Sequence, residues 1–173
     1  FKSNQYKKSY FLTLNYMTFN TKPYLDRTSG SVVDLFSEEK GPCIGAGIKY
    51  QNTRHGFESG LCYAFLNATI SEEETTGVNF NQNDVRVDAL FLQSFYTYRL
   101  EQDTSVKIGI PLIYREADYG DLDAGTVKDS QSMLFGYSFG MSWAIKQMSL
   151  DINMGSVPNY ESSLWSLGIS YNL

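Results

Sequence analysis

The chain holds a single histidine, His55, set between Arg54 and Gly56 in a segment with the composition of a tight turn, Gln51–Gly56. A serine or cysteine nucleophile needs a base beside it and a third group to orient that base. One imidazole in a turn supplies no such set, so no catalytic residue and no cofactor is expected. Cys43 and Cys62 are placed so that a hairpin folded about Gln51–Gly56 brings them near each other, offset by about two residues. A cross-strand disulfide, which an exporting compartment permits and geometry restricts, fits that spacing. So does a pair of small buried thiols. No histidine shares their face, which argues against a metal site. Asp118, Asp121 and Asp123, with Gly120 and Gly125, place carboxylates beside glycines without the alternating ligands and distal Glu of a calcium loop. That spacing leaves a bound cation open and favours a solvated loop, as does the acidic run Glu72, Glu73 and Glu74.

The elements that must carry these residues are strands. Across 173 residues, one domain's worth, the chain has Tyr 13, Phe 11 and Gly 14 against Pro 4, a composition that suits long strands better than helices. A net charge of -5 with no Lys/Arg cluster offers no surface for a nucleic-acid backbone. No run of about 18 apolar residues exists, so no transmembrane helix is expected, but strands that alternate apolar and polar residues escape that criterion. The start at Phe1, without Met or an apolar leader, is what a processed exported chain would show.

Period two is clearest from Gln131 to Ile145. Met133, Phe135, Tyr137, Phe139, Met141, Trp143 and Ile145 occupy one face, and Ser132, Gly136, Ser138, Gly140, Ser142 and Ala144 the other, broken only by Leu134. The same alternation marks Tyr10–Tyr16, Ile44–Tyr50, Phe57–Phe65, Val85–Arg99, Val106–Tyr114, Leu150–Met154 and Trp165–Leu173. This predicts an all-β transmembrane antiparallel up-and-down β-barrel of about eight strands, one domain over residues 1–173. Long polar connections (Asn20–Pro42, Ser71–Asn83, Glu116–Ser130) alternate with short ones (Gln51–Gly56, Glu101–Ser105, Lys146–Ser149), with the short Gly155–Glu161, marked by Pro158, as the exception among the outer ones. That asymmetry places the protein in the bacterial outer membrane with both termini periplasmic.

The face opposite the apolar stripe carries small residues and the charges Lys49, Glu58, Arg86, Asp88, Lys107, Arg115 and Asp151, expected to pair as a charged network in the lumen. Along Val85–Arg99 the face that begins Val85, Val87, Ala89, Phe91 continues through Gln93 and Thr97, so polar groups would meet lipid. Either a bulge switches the face or this region contacts a second copy in a homo-oligomer. Period two by itself also permits the inverse polarity, that of a soluble lipocalin-like ligand-binding barrel.

Ser166, Gly168, Tyr171 and Leu173 stand at the spacing of the terminal assembly signal of outer-membrane barrels, and with them the layout resembles the small OmpA/OmpX-type eight-stranded barrels. Leu173 stands where many members have Phe. The resemblance implies insertion by the barrel-assembly machinery, with outer-membrane lipid and lipopolysaccharide as surroundings. The fold hosts diverse functions. The expected function is a non-enzymatic structural or interaction role through the outer loops, with a plugged lumen. An outer-leaflet lipid-modifying enzyme is the alternative, for which His55 lies at the wrong end.

Overall fold

Alternating β-branched and aromatic side chains, interrupted by few prolines, drive nearly the whole chain into extended backbone. The computed structural model describes residues 5–72, 81–119, 125–129, 132–157 and 162–173. Its strands are β1 (Lys7–Thr21), β2 (Tyr24–Arg27), β3 (Val32–Gln51), β4 (His55–Glu72), β5 (Asn81–Arg99), β6 (Thr104–Asp118), β7 (Gly125–Lys128), β8 (Met133–Phe135), β9 (Tyr137–Ile145), β10 (Met148–Val157) and β11 (Ser162–Asn172). All neighbours pair antiparallel, and β1 closes the sheet on itself: Leu14 lies opposite Ile44 of β3 on one side and Ile169 of β11 on the other. The result is a closed eight-stranded up-and-down barrel.

β8 and β9 together make one wall strand. Leu112 pairs with Phe135 and Gly109 with Ser138, a single continuous register along β6. The gap falls opposite Pro111, which has no N–H to give to the ladder; its carbonyl still accepts from Gly136 N at 3.3 Å. At one end the turns are short. Asn52 accepts the backbone N–H groups of Arg54 and His55 at 2.9 and 2.7 Å, a side-chain turn that fixes the β3–β4 hairpin. Lys146 sits at φ 59° in the β9–β10 turn.

At the other end much of the chain expected to be loop is wall. β3 begins at Val32, inside the segment Asn20–Pro42, and β2 also lies within it. The reason is legible in Val33, Leu35, Ser37 and Glu39, which alternate with Asp34, Phe36, Glu38 and Lys40 and continue the strand. β2 pairs with the start of β3 and, on its other edge, with β7, which comes from the connection between β6 and β8. These two short strands cap that end, with Leu25 and Val127 buried beneath them.

The wall changes polarity along its length. In the half nearer the short turns the exterior carries Tyr10, Leu12, Leu14, Ile44, Leu61, Leu92, Ile110, Phe139, Ile152 and Leu167, all exposed, while most of the buried residues are polar: Asn15, Glu58, Lys107, Ser142, Asp151 and Asn153. In the capped half the arrangement reverses. Phe19, Leu35, Leu66, Ile70, Val87, Ile113, Val157 and Leu164 are buried together, and Lys40, Asn67, Arg86 and Glu116 are exposed. The lower half is a membrane barrel in its polarity and the upper half a water-soluble one.

This reversal corrects the reading of β5. Val85, Val87, Ala89 and Phe91 are buried inside the barrel, whereas Leu90, Leu92 and Tyr96 are exposed. Gln93 lines an interior cavity and Thr97 is buried, so neither meets lipid and neither can form the proposed contact between copies. No bulge is needed there either, since β5 keeps one register with β6 from Arg86 to Arg99. Arg86 and Asp88 leave the lumen network: they project outward above the apolar belt and pair with each other at 3.2 Å. A strand with apolar residues on both faces carries no period-two signal for which face is inside.

Candidate functional site

The interior charges form separate clusters in the two halves. In the lower half Lys107, from β6, reaches Glu58 of β4 and Asp151 of β10, with Nζ 2.5 Å from a carboxylate oxygen of each. A strand separates β6 from each of those two, so the ammonium spans the interior rather than pairing along the wall. Lys49 approaches the same Glu58 at 3.8 Å. Ser149 and Ser170 donate to Asp151 Oδ2 at 3.3 and 3.0 Å, and the aromatic face of Phe95 lies 5.6 Å from Nζ. The two carboxylates balance the two ammonium groups, and the hydroxyls satisfy remaining lone pairs, as a buried ionic group requires.

Small residues make room for the polar interior. A Cβ on Gly168 would lie 1.6 Å from Asn15 Oδ1, and one on Gly47 would lie 2.3 Å from the ring of Phe11. Above the ion cluster a small cavity of about 40 Å³ remains, bordered by Gln93, Asn153 and Phe91 among others. Over it, Phe19 packs edge-on against Phe91, ring centroids 5.7 Å apart, and Cys43 and Cys62 are joined in a disulfide with Cα atoms 5.8 Å apart. The pairing is diagonal: Gly45 stands opposite Cys62, and Ala64 opposite Cys43.

In the capped half Arg115 holds the wall to the cap. Its Nε donates to Glu39 Oε2 at 2.9 Å, a second nitrogen meets Glu39 Oε1, and a third meets Asp129, just beyond β7. Thr21, at the end of β1, donates to Glu39 at 2.8 Å, and Tyr119 donates its hydroxyl to Asp129 at 2.6 Å. Burial raises the Glu39 carboxyl above its ordinary range, opposed by Arg115 and Thr21. Burial likewise raises the Tyr119 hydroxyl, and the bond to Asp129 adds to it against the opposing guanidinium. On the surface Lys128 Nζ lies 2.8 Å from Asp26 Oδ2, a second tie between β7 and β2.

Of the expected lumen network, Lys49, Glu58, Lys107 and Asp151 come together, and Arg115 stands in the other half with partners the sequence reading did not name. Glu39, Asp129, Thr21 and Tyr119 escaped because they fall in or beside segments assigned to loops; the alternation from Val33 to Glu39 was the available signal. Ser166 and Gly168 face the interior, while Tyr171 and Leu173 are exposed. His55 lies at the short-turn end, its Nδ1 2.5 Å from the Tyr96 hydroxyl. Among the described residues no group of His, Cys, Asp and Glu is arranged to hold a metal ion. Asp121, Asp123, Glu73 and Glu74 lie outside the described residues.

These features define a class, the small eight-stranded outer-membrane barrel. No protein-family model matches the chain, and no curated protein does. Solved structures do match. Ail, the attachment invasion locus protein of Yersinia pestis, crystallised with the heparin analogue sucrose octasulfate, superposes with TM-score 0.54 at 11% identity, over 96% of this chain and 99% of that one. OprG from Pseudomonas aeruginosa gives 0.53 at 8% identity, over 98% of each chain. Neisserial surface protein A gives 0.50 at 16%, over 96% of this chain and 99% of that one. At such identities the likeness is one of fold.

Proposed function

We propose that this chain is a non-enzymatic protein of the bacterial outer membrane, with both termini periplasmic, an interior closed to solutes, and a structural or interaction role exercised through its capped outer half. The observation that carries this reading is the reversal of polarity along one continuous wall. An apolar exterior over a polar interior suits lipid, and a polar exterior over an apolar interior suits water, so the boundary between them marks where the protein leaves the bilayer. Short turns at one end and long extensions at the other support this orientation.

Closure rests on two barriers in series: the Lys107 bridge across the lower interior and the apolar packing above it. An eight-stranded barrel is just wide enough for its own side chains. Lipid and lipopolysaccharide would surround the belt, and the barrel-assembly machinery would read Ser166, Gly168, Tyr171 and Leu173 during insertion.

Planar-bilayer recording of the refolded protein tests closure: only brief, small events are expected, and a large stable conductance would overturn it. For orientation, Ser29→Cys in the β2–β3 turn should react with a membrane-impermeant maleimide on intact cells while Thr53→Cys should not. The opposite labelling would reverse the topology. Recovery of a stable monomer without detergent would remove the membrane assignment altogether.

A further inference from the structure

Charged side chains are used differently at the two ends. At the capped end cations stand beside carboxylates: Lys128 by Asp26 at 2.8 Å, Arg86 by Asp88 at 3.2 Å, Lys40 by Glu38 at 3.9 Å, and Arg115 against Glu39 and Asp129. At the short-turn end a cavity of about 210 Å³ opens into the barrel below the Lys107 bridge, lined by Lys49, Arg99, Lys146 and Asp103 with hydroxyl and amide groups between them. It shares Ser9, Gln51, Arg99 and Asn172 with a wider depression of about 620 Å³ bordered by Lys7 and Lys8. Among the described residues Arg99, Lys146 and Lys7 form no ion pair. Lys49 has only Glu58, which Lys107 already engages at 2.5 Å. Asp103 is the one acidic side chain in either lining.

Cations without partners repel one another, and a chain with net charge -5 is not short of carboxylates to set beside them. Their convergence on one concavity, walled by low-dielectric protein and lipid, focuses a positive potential into it. Arg99 brings a guanidinium fork suited to two oxygens of one anion, and Ser9, Ser105 and Asn172 add neutral donors. The space accommodates a small solute or a headgroup and excludes a folded protein. The geometry points to a binding site for a multivalent oxyanion, a phosphate- or polycarboxylate-bearing ligand that enters from the short-turn end.

The test is calorimetric titration of the full chain in neutral detergent with inorganic pyrophosphate, at constant ionic strength held with sodium chloride. Saturable binding is expected. Arg99→Gln and Lys146→Gln should each weaken it roughly tenfold, the loss of one charge-assisted contact; Arg99→Lys should restore part, and Lys128→Gln, at the far end, should change nothing. Heat-modifiable migration on gels verifies that each variant is folded. Absence of saturable binding, or equal binding by Arg99→Gln, Lys146→Gln and the parent chain, would overturn the site. Repeating the titration in nanodiscs identifies the source of the anion. Loss of pyrophosphate binding when phosphatidylglycerol replaces phosphatidylcholine assigns the site to a lipid headgroup, and retention assigns it to a soluble anion. Because the first titration uses solubilised protein, its result is independent of orientation and of lumen closure.

Discussion

Lys107 Nζ and Asp151 Oδ1 lie 2.5 Å apart across the barrel interior, although 44 positions separate them in the chain. With Glu58 on the other side, that contact ties β4, β6 and β10 through one ammonium group. Lys107→Met leaves the buried Glu58 and Asp151 carboxylates facing each other. The expected cost is about 3–5 kcal/mol, the range for stranding a buried charge. Urea unfolding in lipid vesicles reads it as a lower midpoint. Adding Glu58→Gln and Asp151→Asn to the same chain should recover most of the loss, and failure to recover would mean that the ammonium's packing, not its charge, carries the effect.

The Arg115 cluster has an equivalent role in the capped half, with a different readout. Arg115→Met should release Asp129 and with it β7, exposing the β2–β7 cap to protease while the lower barrel stays intact. A comparable cost of about 3–5 kcal/mol is expected. Glu39→Gln combined with Arg115→Met should cost less than the sum of the single changes, because the two groups act as a pair. Strict additivity would show that they do not.

Alkaline pH should loosen the same cap. The Tyr119 hydroxyl and the Lys128 ammonium both hold their protons more tightly in the folded chain than at their ordinary values of 10.0 and 10.5. A raised folded value means that above these ordinary values the folded state binds more protons than the unfolded one, so stability falls as pH rises. The contribution is complete at pH 8 and declines from about pH 10 upward. Protease cleavage within the cap, compared at pH 8 and pH 11, should increase, and Tyr119→Phe should reduce the increase. A pH-independent cleavage rate would contradict the assignment.

The Cys43–Cys62 bridge closes a separation of 19 residues, for which chain-entropy arguments give about 3 kcal/mol. The double change Cys43→Ser with Cys62→Ser should lower the unfolding midpoint accordingly. Both sulfur-bearing residues are buried at the level where the wall reverses polarity. Reductant alone should therefore leave the native bridge intact, and thiol labelling should require denaturant. Labelling of the folded protein under mild reduction would show that the interior is open at that level.

Much of the barrel was legible from alternation because lipid imposes it: Tyr10–Tyr16, Ile44–Tyr50 and Met133–Ile145 each have an apolar face and a mostly small or polar one, with Phe11 and Leu134 the exceptions. β5 was not, since Val87 and Leu90 are both apolar and face opposite ways, one into the upper core and one outward to the belt. A lumen polar along its whole length would hold Arg86 and Asp88, whereas the water that receives them lies above the belt. Glu58, Lys107 and Asp151 were recognisable as interior charges because each sits opposite an apolar stripe in the half whose lumen is polar. Their mutual contact was not, because it depends on which strands oppose one another across a closed circle. Glu39 and Asp129 were hidden by the same cause as β2 and β7: polar composition suggested loops where the chain builds a second, water-facing storey.

That storey sets a height. From Val32 to Gly41, β3 climbs beyond the apolar belt, about 30 Å along the strand at the usual rise and about 23 Å vertically at the tilt typical of such barrels. In the proposed orientation, the cap formed by β2 and β7 is therefore carried clear of the headgroups. In the orientation proposed above, a molecule approaching the cell would meet Asp26, Lys128 and the β2–β3 turn above the lipid surface.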